Sequence, residues 1–223
     1  MTAPSPQGPG ARLSAYLVTD RRLVPRGDLP ALVDRALALA PKGSVAVQLR
    51  EKDLTSRELL VLARALGEIT RARGASLLVN DRIDVALAAG ADGVHLAGHS
   101  LPPKDARRIL GPDLLLGASA HSLEEARRAR AAGCDFATFG PVFPTPSKAP
   151  LGSPLGLEAL EKACAALAPF PLIALGGLDL DSAGACRAAG AAGVAAIRAW
   201  LLAPDPAEAV RRLLEAGAPA RLE

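Results

Sequence analysis

Aromatic residues are scarce. One tryptophan, one tyrosine and four phenylalanines make up 3% of the 223 residues. Half the residues are hydrophobic, so a large core can be buried, but it must be aliphatic, made of Ala, Leu, Val and Ile. Cysteine is scarce as well. Cys134, Cys164 and Cys186 are far apart and odd in number, so they suggest neither a disulfide framework nor a metal site. They read as small buried hydrophobes of a reduced compartment. No apolar run approaches membrane-spanning length, so no membrane partner is expected. Long runs of one charge are missing too. The 26 Lys and Arg against 23 Asp and Glu leave +3, scattered along the chain, which argues against nucleic acid. The opening MTAPSPQGPGA has neither an apolar stretch nor a basic start. Residues 1–11 therefore read as a disordered leader, not a signal or anchor. Residues 12–223 read as one domain of a soluble, cytoplasmic protein.

What is present is regular punctuation. Strands are predicted over Ala15–Thr19, Val45–Arg50, Ser76–Val79, Gly93–Leu96, Leu114–Ala118, Phe136–Gly140, Leu172–Leu175 and Val194–Ile197. Helices follow each of them. Asp28 caps the first, and Thr55 with Glu58 forms a capping box at the second. The phrases AAGADGV, AAGCDFA and AAGAAGV recur at helix-to-strand junctions, with Gly as the helix stop. Strands apolar throughout are buried on both faces, as in a parallel sheet. No G-x-G-x-x-G follows the first strand, as a doubly wound dinucleotide-binding sheet would show. Eight units predict a single (β/α)8 barrel, a TIM barrel.

A barrel places its chemistry at the C-terminal ends of its strands. There the sequence gathers most of its out-of-place polar groups: Gln48, Arg50, Glu51 and Lys52, then Asn80 and Asp81, His95 and His99, Ser119 and His121, Thr145, Ser147 and Lys148. Gly176 and Gly177 after the seventh strand fit a phosphate cradle of backbone N–H groups, or simply a tight turn. Arg50, Lys52 and Lys148 can clamp anionic oxygens. His121 can be a general acid or base, or merely a residue at a helix start. His95 fits a hydrogen-bonded structural histidine and His99 a solvated one. Asp81 fits a helix cap as well as it fits a metal ligand.

These segments resemble the thiamine phosphate synthase/TenI superfamily: QLREKD from Gln48, VNDRIDVALAAGADGVHL from Val79, GASAHSLEEA from Gly117, FGPVFPTPSK from Phe139 and ALGGL from Ala174. They occur in order across nearly the whole domain. The resemblance implies one of two activities. Thiamine phosphate synthases join a hydroxymethylpyrimidine diphosphate to a thiazole phosphate and release pyrophosphate, holding Mg2+ with two aspartates. Asp81 matches the first, but Ser100 stands at the second. The TenI branch, thiazole tautomerases, lacks that second aspartate and aromatises a thiazole carboxylate phosphate by proton transfer, without metal. Its S-x-H-S-L-E-E-A pattern is matched from Ser119 to Ala126.

The missing aspartate makes a tautomerase, an isomerase with no cofactor, the expected activity. His121 is then its acid/base, with Gln48, Asn80 and Ser119 orienting the ring or carboxylate. Against this, Arg50, Lys52, Thr145, Ser147 and Lys148 match the synthase's phosphate-binding positions, and Arg198 replaces a serine usual for phosphate binding. The alternatives are the Mg2+-dependent synthase, with Asp81 as metal ligand, and a non-catalytic binder of thiazole or thiamine phosphates. The partner expected in every case is a small phosphorylated thiazole compound. The family's habit also implies a possible homo-oligomer.

Overall fold

The computed structural model describes residues 13–24, 27–145 and 153–216. The leader of residues 1–11, Ser147 and Lys148 lie outside the described residues. Eight parallel strands close on themselves in sequence order. They are β1 Ala15–Val18, β2 Val45–Leu49, β3 Ser76–Asn80, β4 Gly93–Leu96, β5 Leu115–Ala120, β6 Phe136–Phe139, β7 Leu172–Leu175 and β8 Gly193–Ala196. Helices α1 Leu29–Ala36, α2 Ser56–Arg73, α3 Ile83–Ala89, α4 Pro103–Leu110, α5 Leu123–Ala131, α6 Gly156–Leu167, α7 Ala183–Ala188, α8 Arg198–Leu201 and α9 Pro206–Glu215 lie between and after them. This is the (β/α)8 barrel the punctuation predicts.

Alternation along each strand splits the core in two. On β1, Ala15 and Leu17 join the large aliphatic cluster between strands and helices, while Tyr16 and Val18 point into the barrel. The interior cluster also holds Ala46, Leu78, Leu115, Phe136, Ile173 and Ala195. The few aromatics are concentrated where they fill most volume. Tyr16 meets Phe136 edge to face, with ring centroids 5.4 Å apart, a preferred geometry for such pairs. Trp200 is fully buried, and its Nε1 donates to Val18 O and Ala196 O at 3.3 and 3.1 Å. Arg187 reaches from α7 to the carbonyls of Ser14 at 2.7 Å and Leu213 at 3.0 Å.

Local signals set the helix starts. Asp28 accepts from Ala31 N at 3.0 Å, and Thr55 and Glu58 form the predicted capping box. The differences from expectation come from partners that sequence spacing does not show. β5 runs on to Ala120 because Ser119 and Ala120 pair with Thr138 and Phe139 of β6. α7 starts late because Asp179 takes the N–H groups of Asp181 and Ser182. Helix α8 was not expected; Trp200, sealed against β1, fixes it.

Among the described residues, no helix is long and apolar enough to cross a membrane. Burial pushes the Cys134 thiol up to about 12 and those of Cys164 and Cys186 to about 11. All three are thiols, as scarcity and spacing suggested.

Candidate active site

The mouth at the strand C-termini is built in two tiers. The lower tier is buried and polar. Gln48 on β2 is 4% exposed, and its Nε2 donates to Asn80 Oδ1 on β3 at 3.2 Å. Asn80 pairs in register with His95 on β4. His95 Nε2 lies 3.1 Å from Ser119 Oγ on β5 and 3.5 Å from Thr138 Oγ1 on β6. Five adjacent strands, β2 to β6, thus bring polar side chains to the floor. Burial, with a smaller contribution from the Arg50 charge, lowers the His95 pKa to about 3, so the imidazole is neutral.

The upper tier is charged. After β2 the chain presents half-buried Arg50, buried Glu51 and exposed Lys52. Arg50 N donates to Thr19 Oγ1 at 2.9 Å. Glu51 ties β1 to β2: its carboxylate accepts from Thr19 Oγ1 at 2.7 Å, from Arg21 N at 3.0 and 3.1 Å, and from Arg21 Nη1 at 3.3 Å. Replacing Glu51 with Ala should leave these donors unmatched and lower stability by about 2–3 kcal/mol, read as a lower urea midpoint. An unchanged midpoint would show that the tie is dispensable.

A cavity of about 280 Å³ opens beside this tier, with Glu51, Lys52, Asn80, Asp81, Arg82 and His99 on its walls. Leu49, Leu54 and Leu59 supply its apolar side. Asp81 has φ 68°, the positive φ found at a non-glycine among the described residues. Such a conformation is sparsely populated for an L-residue and tends to persist at functional sites. Asp81 does not cap α3. Arg82 holds the N-cap position and makes no side-chain cap bond. The helix-cap reading is therefore corrected: the Asp81 carboxylate lies 3.5 Å from His99 Nε2 on the cavity wall. His99 is 71% exposed at its side chain, solvated as expected, but not alone.

Mg2+ was expected only with a synthase. Among the described residues, no three His, Cys, Asp or Glu side chains gather as a metal site. Ser100 brings no negative charge to the second aspartate's place, and its Oγ accepts from Ala97 N at 2.7 Å, closing its own turn. Asp81 alone remains. One carboxylate suits a magnesium ion that takes its other oxygens from a diphosphate and water, which is how Mg2+ is often held. It does not suit a closed all-protein site.

The remaining predicted residues sit on the other side of the mouth. His121 is exposed at the end of β5, and its Nδ1 donates to the Gly140 carbonyl beyond β6. Glu125 accepts from its backbone N–H at 2.7 Å. Gly176 and Gly177 have φ of 100° and 65°. Their missing side chains face the β6 loop: a Cβ at Gly176 would lie 2.5 Å from Pro141 Cα, and one at Gly177 2.7 Å from Phe143 C and O. Phe143 N in turn donates to Gly176 O at 2.9 Å. The two glycines therefore let the loops after β6 and β7 touch, and that contact holds the segment ending in half-buried Thr145. Arg198 is exposed at the start of α8. Sequence reading overlooked Arg82 and the part of Glu51 in joining β1 to β2. The adjacency of Arg82 to Asp81 was the available signal.

Known proteins match over this whole architecture. The thiamine-phosphate synthase of Moorella thermoacetica is 48% identical over 173 residues, 78% of this chain and 82% of its own length. That of Chlorobium luteolum is 47% identical over 183 residues, 82% and 84%. The structure of thiamine phosphate pyrophosphorylase from Pyrococcus furiosus superposes with a TM-score of 0.81 at 34% identity, covering 93% of this chain and 96% of that one. These findings overturn the expected tautomerase, and with it the isomerase class and the metal-free proton transfer assigned to His121. Residues 15–200 match the family described as thiamine monophosphate synthase, and the chain belongs to that family.

Proposed function

We propose that the protein is a thiamine-phosphate synthase, a transferase that couples a hydroxymethylpyrimidine diphosphate to a thiazole phosphate and releases pyrophosphate. The observation that carries this reading is the cavity on β2 and β3, where Lys52 and Arg82 flank Asp81 and Asn80. Breaking the bond to a diphosphate concentrates negative charge on the leaving group, so fixed cations there act where charge develops. Arg50 and Lys52 bind diphosphate oxygens. Gln48, Asn80 and Ser119 orient the pyrimidine over the polar floor. Thr145, with Gly176 and Gly177 holding its loop, faces the thiazole phosphate; the resemblance adds Ser147 and Lys148 to that loop. Asp81 is the residue that would hold Mg2+, and the ion, when bound, would supply positive charge to the leaving pyrophosphate. The protein is soluble, and its substrates are small phosphorylated molecules.

The test supplies both precursors with and without Mg2+ and identifies products by mass spectrometry. Thiamine phosphate and pyrophosphate should appear together and require the ion. Asp81→Asn should lower kcat by roughly 100-fold with an unchanged circular dichroism spectrum. Undiminished turnover by this variant would remove Asp81 from the reaction, and no coupled product from the unaltered protein would end the proposal.

A further inference from the structure

Two charged loops lie side by side at the mouth. The one after β1 carries Asp20, Arg21 and Arg22, and the one after β2 carries Arg50, Glu51, Lys52 and Asp53. The arginines of the first loop take up every acid of both. Arg21 Nη1 and Nη2 donate to Asp53 Oδ1 and Oδ2 at 2.6 and 3.0 Å, a two-pronged pair. Nη1 also reaches Glu51 Oε2 at 3.3 Å. Arg22 Nε and Nη2 donate to the two oxygens of Asp20 at 2.8 and 2.9 Å. Arg50 and Lys52 stand apart from this pairing. Among the described residues, neither side chain makes an ion pair or a hydrogen bond.

Cations and acids alternate along residues 50–53. A carboxylate beside a phosphate-binding cation is its standing rival, because it offers the same charged oxygens as a diphosphate. Two-pronged pairing with a guanidinium occupies both carboxylate oxygens and fixes their direction. The acidity of the carboxyls follows: Arg21 holds Asp53 below the usual carboxylate range, and Arg22 does the same for Asp20. Glu51 would stay held without the Arg21 side chain, since Thr19 Oγ1 and Arg21 N would still donate to it. Asp53 would not. Its two hydrogen bonds to another side chain both run to Arg21, and its own side chain is half exposed.

We propose that Arg21 is a positioning residue for diphosphate binding: by occupying the Asp53 and Glu51 carboxylates it keeps Arg50 and Lys52 unpaired for phosphate oxygens. Arg21 acts through these neighbours and not on the substrate itself. That the oxygens belong to a pyrimidine diphosphate rests on the synthase reading; the hold of Arg21 on the acids does not.

The test is a cycle of variants: Arg21→Met, Asp53→Asn and the two combined. Each is measured for the KM of the pyrimidine diphosphate and, without turnover, for the Kd of pyrophosphate by calorimetry. Arg21→Met should raise both constants about fivefold, the weight of one half-exposed ion pair. Its kcat and its KM for the thiazole phosphate should not change. Asp53→Asn alone should change nothing, because that charge is already taken up. The combined variant should return to the constants of the unaltered protein, since the rival charge has gone along with its keeper. Unchanged constants in Arg21→Met would overturn the proposal. So would a combined variant as weak as Arg21→Met, which is what a mere brace of the loop predicts. Tighter binding by Asp53→Asn alone would overturn it too, since only the sum of charge would then matter, and weaker binding would show that the pair serves the loop. That arm stands even where Arg21→Met does not fold. Failure of the synthase reading is a separate result: no coupled product from the unaltered protein, with the pyrophosphate constants still following the cycle.

Discussion

Gly140→Ala should leave little folded protein, with a loss of about 4 kcal/mol or more. The reason is where β6 ends. A Cβ at Gly140 would run into the Leu175 carbonyl oxygen and lie 2.8 Å from its carbon and 3.3 Å from Val142 N. That oxygen already accepts from Val142 N at 2.9 Å. Both obstacles are backbone, which cannot rotate aside, so β6 and β7 would have to part. The Gly140 carbonyl is also the anchor of His121, and Gly140 N donates to Ala120 O at 3.1 Å, so β5 would be drawn in. Gly67→Ala is the matched control. Gly67 is inside α2, and a Cβ there meets only Leu77 Cδ2 at 3.7 Å, an ordinary contact. Alanine in a helix interior is more favourable than glycine by roughly 0.5–1 kcal/mol, so the same substitution should stabilise. Thermal melts of the pair should move in opposite directions. A Gly140→Ala protein melting near the unaltered one would show that the β6–β7 rim can open without consequence.

Acid should weaken the fold through a single buried ring. The unfolded chain protonates a histidine below about pH 6.5, whereas His95 in the fold resists until about 3. Below pH 6.5 the unfolded state therefore binds the extra proton, and stability falls with pH. The contribution is complete above pH 6.5 and is spent by about pH 3. At 1.36 kcal/mol per unit, the whole window is worth roughly 5 kcal/mol, and about 2 kcal/mol of it is lost by pH 5. Urea midpoints at pH 7 and pH 5 should differ by that amount in the unaltered protein and hardly at all in His95→Gln. Carboxylates held low by arginines, Asp34 by Arg73 and Asp53 by Arg21, also weaken the fold in acid, but equally in both proteins. Parallel pH profiles would show that water or a relaxed interior solvates the His95 cation.

The barrel was legible because its signals are local and repeated. Apolar segments buried on both faces gave all eight strands, and capping residues such as Asp28 and Thr55 act within one turn of themselves. Strand ends were less legible, because a neighbour decides them: β5 continues past Ala118 only because β6 lies alongside. The gathering of polar residues at one end was also visible, since strand direction alone implies it. Their individual roles were not. Asp81 is turned from the helix by a left-handed backbone that spacing cannot reveal. The pairing of His121 with Gly140 depends on the register of two strands 19 residues apart in contact. Reading the activity from Ser100 gave one absent carboxylate more weight than the chemistry bears, because a diphosphate brings its own oxygens to a metal. Identity spread over most of the chain outweighs that one position.

The closure of the barrel has a consequence for how the chain is made. β1 pairs on one side with β2 and on the other with β8, whose partner residues lie about 180 positions later. The Arg187 and Trp200 side chains that fasten this seam reach Ser14 and Val18 across 173 and 182 positions. During synthesis, which proceeds from the N-terminus, β1 keeps one bare edge until almost the whole domain has left the ribosome. An open strand edge is a template for pairing with other chains. The finished molecule hides that edge completely, so the hazard is confined to nascent and unfolded chains, and the period of greatest risk ends when Trp200 reaches its place.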